Sequence, residues 1–179
     1  MHPTALYISS GSQISAYADD AVLAVTNSLI FNNGGFEDGN PPTGWMAWGA
    51  PTYPTITQES SIIRTGQHSI KLTNANNGSL GNAGQWSESY NSPASFQGKA
   101  FTFGAWVYAS VPNRVFISIW DNVTGDTVSA YHPGDSQWHL LTVTKTVSPS
   151  ATLMHPTALY ISSGSQISAY ADDAALISN

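Results

Sequence analysis

The sequence predicts an all-β protein: a jelly-roll antiparallel β-sandwich with an extra amino-terminal β segment that duplicates its closing strands. Three observations carry this reading. Apolar and polar residues alternate with period two over most of the chain, as strands with one buried face require. Clusters of Gly, Pro, Asn and Asp punctuate these runs as turn signals. No segment shows a helical period of apolar residues.

In chain order, an extended segment over 1–27 comes first and contains ISAYADDA at 14–21. SLIFNNGGFEDG, from Ser28, then reads as the opening strand and loop of the main domain. HSIKLTN (68–74), AFTFGAWVYAS (100–110), RVFISIWDN (114–122), HLLTVTKTV (139–147) and ALYISS (158–163) each alternate as half-buried strands. NNGG, DGNPPTG, NANNGSLGN, TGD, HPGDS and SSGS separate them. TALYISS and ISAYADDAALI read as two final strands around the turn SGSQ.

MHPTALYISSGSQISAYADDA runs from Met1 to Ala21 and recurs letter for letter from Met154 to Ala174. Such an identity marks a recent duplication, a window on a tandem array, or an assembled sequence. Residues 28–179 are expected to form one complete sandwich, and residues 1–27 to be the end of a preceding repeat or a donated strand. The first copy has three open placements: folded back on its own domain, ending a preceding repeat, or docked as a donated strand on a neighbouring subunit. Leu6, Tyr7, Ile8, Ile14 and Tyr17 are the side chains expected to make that assembly contact.

Composition narrows the partners. Hydrophobic residues are 41% of the 179 and charged residues only 9%, against about 25% charged in ordinary soluble domains. The surface is therefore neutral and hydrogen-bonding, suited to copies of itself or to neutral polysaccharide. The net charge is −6 and the five cations, Arg64, Lys71, Lys99, Arg114 and Lys145, are scattered. That excludes a nucleic-acid footprint and a polybasic membrane patch. No apolar run reaches the ~18 residues of a membrane span, and no cysteine is present for a disulfide or a thiolate site. The start lacks the basic and apolar stretches of a secretory leader. The expected routes are excision from a longer exported protein or release by lysis in a virion, with an extracellular, virion-surface or cell-surface location.

Three stretches, FNNGGFEDGNPPTGW (31–45), KAFTFGAWVYAS (99–110) and ISAYADDAALI (167–177), resemble the carbohydrate-binding modules related to families four, nine and twenty-two. The resemblance implies a two-sheet jelly-roll over about 28–177, a fold also used by phage fibre, capsid-surface and adhesin proteins. It further implies a structural calcium held by Glu37 and by Asp172 or Asp173, with backbone carbonyls completing a shell of six to eight oxygens. Asp19 and Asp20 match Asp172 and Asp173 in the first copy.

Six Trp and eight Tyr are many for this length. Trp106, Tyr108, Phe116 and Trp120 fall on corresponding faces of two strands expected to be neighbours. Phe101, Phe103, Val115, Ile117 and Ile119 fall on the opposite faces, and one of the two sets must be core. Trp48, Tyr53, Trp86, Tyr90, Tyr131 and Trp138 sit in or beside loops. Expected contacts with a glycan or a neighbouring subunit are Trp48, Trp86, Tyr90, Trp106, Tyr108 and Trp120. The plainer alternative buries Trp106 and Trp138 in the sandwich.

Signs of catalysis are thin. Glu59 and Glu88 could be posed as a pair of glycosidase carboxylates, and nothing in the sequence places them together. His132 and His139, seven apart across a turn, do not suggest a metal site. Asn77 and Asn122 match the glycosylation sequon. The leading expectation is a non-enzymatic structural subunit of a filament, fibre or virion surface that self-associates through its amino-terminal segment. The alternative is an autonomous glycan-binding module of a polysaccharide-acting enzyme or adhesin.

Overall fold

The structure, a computed structural model, describes residues 31–75, 78–85 and 91–179. Residues 1–27 with Leu6, Tyr7, Ile8, Ile14, Tyr17, Asp19 and Asp20, and also Asn77, Trp86, Glu88 and Tyr90, lie outside the described residues. Ten strands form two antiparallel sheets. They are β1 (Met46–Ala50), β2 (Thr55–Glu59), β3 (Ser69–Thr73), β4 (Leu80–Gly84), β5 (Ala100–Ala109), β6 (Val115–Asp121), β7 (Gly125–Val128), β8 (Trp138–Thr146), β9 (Met154–Ile161) and β10 (Ser168–Ser178). One sheet has the order β1-β4-β9-β6-β7 and the other β2-β3-β10-β5-β8. The jelly-roll sandwich expected from the alternation is the fold observed.

The alternation does its work most clearly in β5. Phe101, Phe103, Ala105, Val107 and Ala109 are buried, while the residues between them are half-exposed. Val115, Ile117 and Ile119 of β6 and Leu141 and Val143 of β8 meet them in one core. The aliphatic set of β6 is thus core, and Phe116 and Trp120 face outward.

Two expectations need correction. The last two strands are not a hairpin: β9 lies in the first sheet and β10 in the second, each between two other strands. Likewise β5 and β6 are not neighbours but belong to opposite sheets. Trp106 and Tyr108 therefore line a different outer surface from Phe116 and Trp120. Alternation fixes which face a residue occupies, and only non-local pairing fixes which sheet.

A buried ion pair ties the sheets together. Lys145 stands at a core-facing position of β8, in step with Leu141 and Val143. Its Nζ lies 3.2 Å from Oδ2 of Asp121, at the end of β6 in the other sheet, and both side chains are almost wholly buried. Lys145 also donates to Thr124 Oγ1 and to Gly125 O, each at 2.8 Å. Asp121 accepts from the amides of Val123 and Thr124 and from the Thr124 hydroxyl. Burial alone would raise the Asp121 carboxyl. These hydrogen bonds and the lysine outweigh burial and hold it well below the usual carboxylate range.

Removing one partner strands the other charge in the core. Lys145→Met should cost about 3–5 kcal/mol. Adding Asp121→Asn to it should recover part of that loss. Urea unfolding of the two single variants and the double variant checks this, and simple additivity would refute the coupling.

Candidate functional site

On the outer face of the first sheet aromatic and hydrogen-bonding side chains converge around a cleft. Strand register sets it up. Trp48 of β1 pairs with Asn82 of β4, Asn82 with Tyr160 of β9, and Tyr160 with Phe116 of β6. Directly paired residues share a face, so this row crosses four strands. A second row runs from His155 through Trp120 to Asp126 of β7. Between the rows Gly84, Thr157 and Ser118 pair in turn.

The rings are ordered by stacking. Trp120 and His155 lie 4.8 Å apart with planes 23° from parallel. Phe116 and Tyr160 lie 4.5 Å apart at 16°, and Tyr131 meets the Phe116 edge at 5.1 Å. A register shift in β9 makes this possible. Thr157 opposes Ser118 and Tyr160 opposes Phe116, so the bulge leaves both Ala158 and Leu159 buried. Without the extra residue, Tyr160 would point inward.

These side chains enclose a cleft of about 420 Å³, lined by Trp48, Leu80, Asn82, Gly84, Trp120, Asp126, His155, Thr157 and Tyr160. That volume lies within the 300–1,000 Å³ typical of ligand pockets. Among the described residues Asp126 is its one carboxylate, and neither Lys nor Arg lines it. Burial, with the charge of Asp126 and then Tyr131 nearby, raises the Tyr160 phenol above its ordinary range. Tyr160 therefore stays a hydroxyl donor at neutral pH. Trp48, with 45% of its surface exposed, offers an open ring. Beneath the cleft the Ser118 hydroxyl is buried without a hydrogen-bond partner.

Of the contacts expected from sequence, the structure places Trp48 and Trp120 at this cleft. Trp106 and Tyr108 belong to the outer face of the second sheet. The guanidinium of Arg64 lies 3.8 Å above the Trp106 ring. Tyr108 packs between Trp138 at 5.7 Å and Tyr170 at 5.8 Å. Trp106 and Trp138 are half-buried on that outer face and are not core. Trp45, which no sequence argument singled out, is core instead, and its Nε1 donates to Asn33 O at 3.0 Å. Sequence reasoning also missed Asn82, Asp126, His155, Thr157 and Tyr160 as cleft residues. Strand register alone brings them together.

The three carboxylates expected at a calcium site hold one loop, residues 64–68, against the sandwich. Glu37 Oε1 accepts from the amides of Gln67 and His68, and Oε2 faces His68 Nδ1 at 3.1 Å. A side chain on Gly66, whose φ is +66°, would collide with Glu37 Oε1. Asp172 Oδ2 accepts from the amides of Arg64 and Thr65 at 2.9 and 3.1 Å. Asp173 does not fit a cation site, because Arg64 Nη1 and the Thr65 hydroxyl occupy its two oxygens at 2.6 and 2.8 Å. The oxygens of Glu37 and Asp172 are engaged as well, but by backbone amides and His68 and not by a cation; Oδ1 of Asp172 accepts the Asp173 amide at 2.8 Å.

His132 and His139 do come together, with Asp135. Their ligand atoms gather within 4.8 Å, the one such group of three among the described residues. Both ring nitrogens of His132 are already committed. His132 Nδ1 accepts the Gly134 amide at 2.9 Å, and its Nε2 lies 3.1 and 3.0 Å from the carbonyls of Val107 and Gln137. Burial lowers its pKa and keeps it neutral. His139 Nε2 pairs with Asp135 at 2.9 Å. The group is a hydrogen-bonded turn. Glu59 caps the amides of Ser60 and Ser61 and lies 3.7 Å from Lys71. Asn122 clamps Thr152 and Leu153 through its amide.

No family model and no curated protein sequence matches the chain. Solved structures match it in fold. The enzymatically active domain of tailspike protein 4 from bacteriophage CBA120 aligns with a TM-score of 0.62 at 16% identity, covering 83% of this chain. This chain spans only 21% of that one. The CBM22-1 xylan-binding domain of Paenibacillus barcinonensis Xyn10C aligns at 0.61 with 15% identity, over 81% of this chain and 91% of that one. TmCBM61, solved in complex with β-1,4-galactotriose, aligns at 0.58 with 13% identity, over 83% and 97%. The fold is therefore that of a carbohydrate-binding-module-like β-sandwich. Among the described residues no helix is long and apolar enough to cross a membrane.

Asp172 makes a pH signature. Burial first, and then the neighbouring Asp173 charge, push its carboxyl up to about 6 from the ordinary 3.8, against the pull of its amide donors. The native state then holds a proton that the unfolded chain releases, so stability falls as pH rises from about 4 to 6. Asp172→Asn keeps an oxygen for the Arg64 and Thr65 amides but turns its NH₂ toward the Asp173 amide. It should be less stable at pH 4 and lack the slope. Urea unfolding from pH 4 to 7, in calcium-free buffer, gives the difference between the two profiles. A flat difference would show that Asp172 titrates normally.

Proposed function

We propose that this chain is a non-catalytic glycan-binding module, and that the cleft on the first sheet holds a neutral polysaccharide. One observation carries the reading: exposed and stacked rings alternate with hydrogen-bonding groups in a cleft without Lys or Arg. Flat aromatic faces suit the axial C–H faces of sugars, and Asn82, Asp126, His155, Thr157 and Tyr160 suit their hydroxyls. The low charge of the whole chain points the same way. The solved structures named for xylan binding and for β-1,4-galactotriose supply the first ligands to try. This reading takes precedence over the structural subunit favoured by composition, because the cleft is a built arrangement and low charge is not. A role on a virion or cell surface draws on the duplicated strands and the tailspike likeness, and is compatible with a glycan-holding cleft.

Titration calorimetry with xylohexaose and β-1,4-galactotriose tests the cleft. Trp48→Ala and Trp120→Ala should each weaken binding about tenfold, equivalent to ~1.4 kcal/mol. Trp138→Ala, on the opposite outer face, should leave affinity unchanged. Binding that survives the double Trp48/Trp120 change, or that falls with Trp138→Ala, would move the site elsewhere.

The same proposal includes a structural calcium at Glu37 and Asp172, supported by the likeness of the NGGFEDG and ADDAALI stretches to the family's motifs and by the approach of both carboxylates to the one loop 64–68. Calcium should raise Tm over a chelator control in the wild type and leave Asp172→Asn unmoved. Equal melting with and without calcium would remove the ion from the account.

A further inference from the structure

The duplicated residues acquire a definite meaning once their second copy is placed in the fold. Met154–Ala174 contains all of β9 and β10 as far as Ala174. β9 lies between β4 and β6, and β10 between β3 and β5. Each is hydrogen-bonded along both edges, so these four strands define a slot that takes one occupant. A peptide with this sequence does not match an open sheet edge. It matches a place already filled.

Residues 1–21 carry every side chain that the slot receives over that stretch. Leu6, Ile8 and Asp19 correspond to Leu159, Ile161 and Asp172, all fully buried. The copies part at position 22. Val22, Ala24 and Val25 stand for Ala175, Ile177 and Ser178, where β10 is half-buried or exposed. Nothing in the buried part of the slot distinguishes one copy from the other.

Chain connectivity permits the exchange. Leu176, the counterpart of Leu23, pairs with Phe103, and the Phe103 ring lies 5.8 Å from Phe31. Ala174, the counterpart of Ala21, donates its amide to Gly34 O at 2.8 Å. A first copy in the slot would therefore end beside the point where the described chain begins. Residues 24–30 would join two points that border the same ring, and seven extended residues reach roughly 23–25 Å.

We propose that residues 1–23 are an alternative pair of closing strands for this sandwich, entering the β9–β10 slot of their own chain in place of 154–176. The domain is closable from either end, and the displaced copy leaves with the carboxyl terminus. The cleft survives the exchange, because His2, Thr4 and Tyr7 take the places of His155, Thr157 and Tyr160. Closure is a property of the sandwich itself, so this inference stands or falls apart from glycan binding.

The test uses the full chain with a charge placed in one copy at a time: Leu159→Asp, Leu6→Asp, and both together. Each single variant should keep one cooperative unfolding transition, displaced by a few degrees, while the double variant should lose it. In Leu159→Asp, amide protection by hydrogen exchange should pass from 154–161 to 1–8, in a species of monomer mass. Collapse of Leu159→Asp to the level of the double variant would overturn the proposal. So would rescue confined to oligomers that grow with concentration, which would put the exchange between molecules.

Discussion

The sandwich depends on a constraint set by its last two strands. β9 and β10 are the middle of their sheets, and every other strand reaches the opposite half of its sheet through them. Remove them and each sheet falls into two pairs with exposed edges and an uncovered apolar face, an arrangement of marginal stability in water. The partners of β9 and β10 lie far back in sequence, from Ser69 to Asp121. Closure therefore comes at a high loop-entropy cost and late in folding. A second copy of the closing sequence stands at the other end of the chain, at positions 1–21.

The same strand shapes the cleft. β9 contributes His155, Thr157 and Tyr160 to the outer face and buries Ala158 and Leu159 between them. One inserted residue achieves this, and it also rotates the strand locally, as bulges do. The bulge thus converts a strand that would offer a regular ladder into one whose two rings stack against β6 at separate points. Structure and site share a single irregularity.

How far the sequence revealed this differs element by element. β5 and β6 were legible because their alternation is unbroken and their apolar residues are large. β9 was legible only from Ala158 on, since His155 and Pro156 at its start interrupt the pattern. Lys145 sat at a position where alternation asks for an apolar residue, and only Asp121 from the other sheet explains it. Trp48 and Trp120 could be named as contacts from residue type alone. Asn82, Asp126 and Thr157 could not, because polar residues on strands are common and only register distinguishes three that converge. The pairing of Trp106 with Trp120 failed for the same reason: face is a local property, and sheet membership is not.

The two outer faces show why aromatic content by itself is a weak guide. On the second sheet Arg64 covers Trp106, and Tyr108, Trp138 and Tyr170 meet edge-on or tilted. Ring edges and a guanidinium lid leave little flat surface for a sugar. On the first sheet the rings of Trp120 and Phe116 stack nearly parallel on His155 and Tyr160, and Trp48 stands open across the cleft. Thr157 lies between the rows, and Asn82 and Asp126 stand within them beside the rings. Arg64 and Lys71 lie over rings of the second face, Lys145 is held in the core, and no Lys or Arg lines the cleft, where Asp126 sets the local field. A polyanion would be repelled there, whereas a chain of neutral hydroxyls meets acceptors and a phenol that stays protonated. Ring orientation and charge placement, not the number of tryptophans, distinguish the outer face of the first sheet from that of the second.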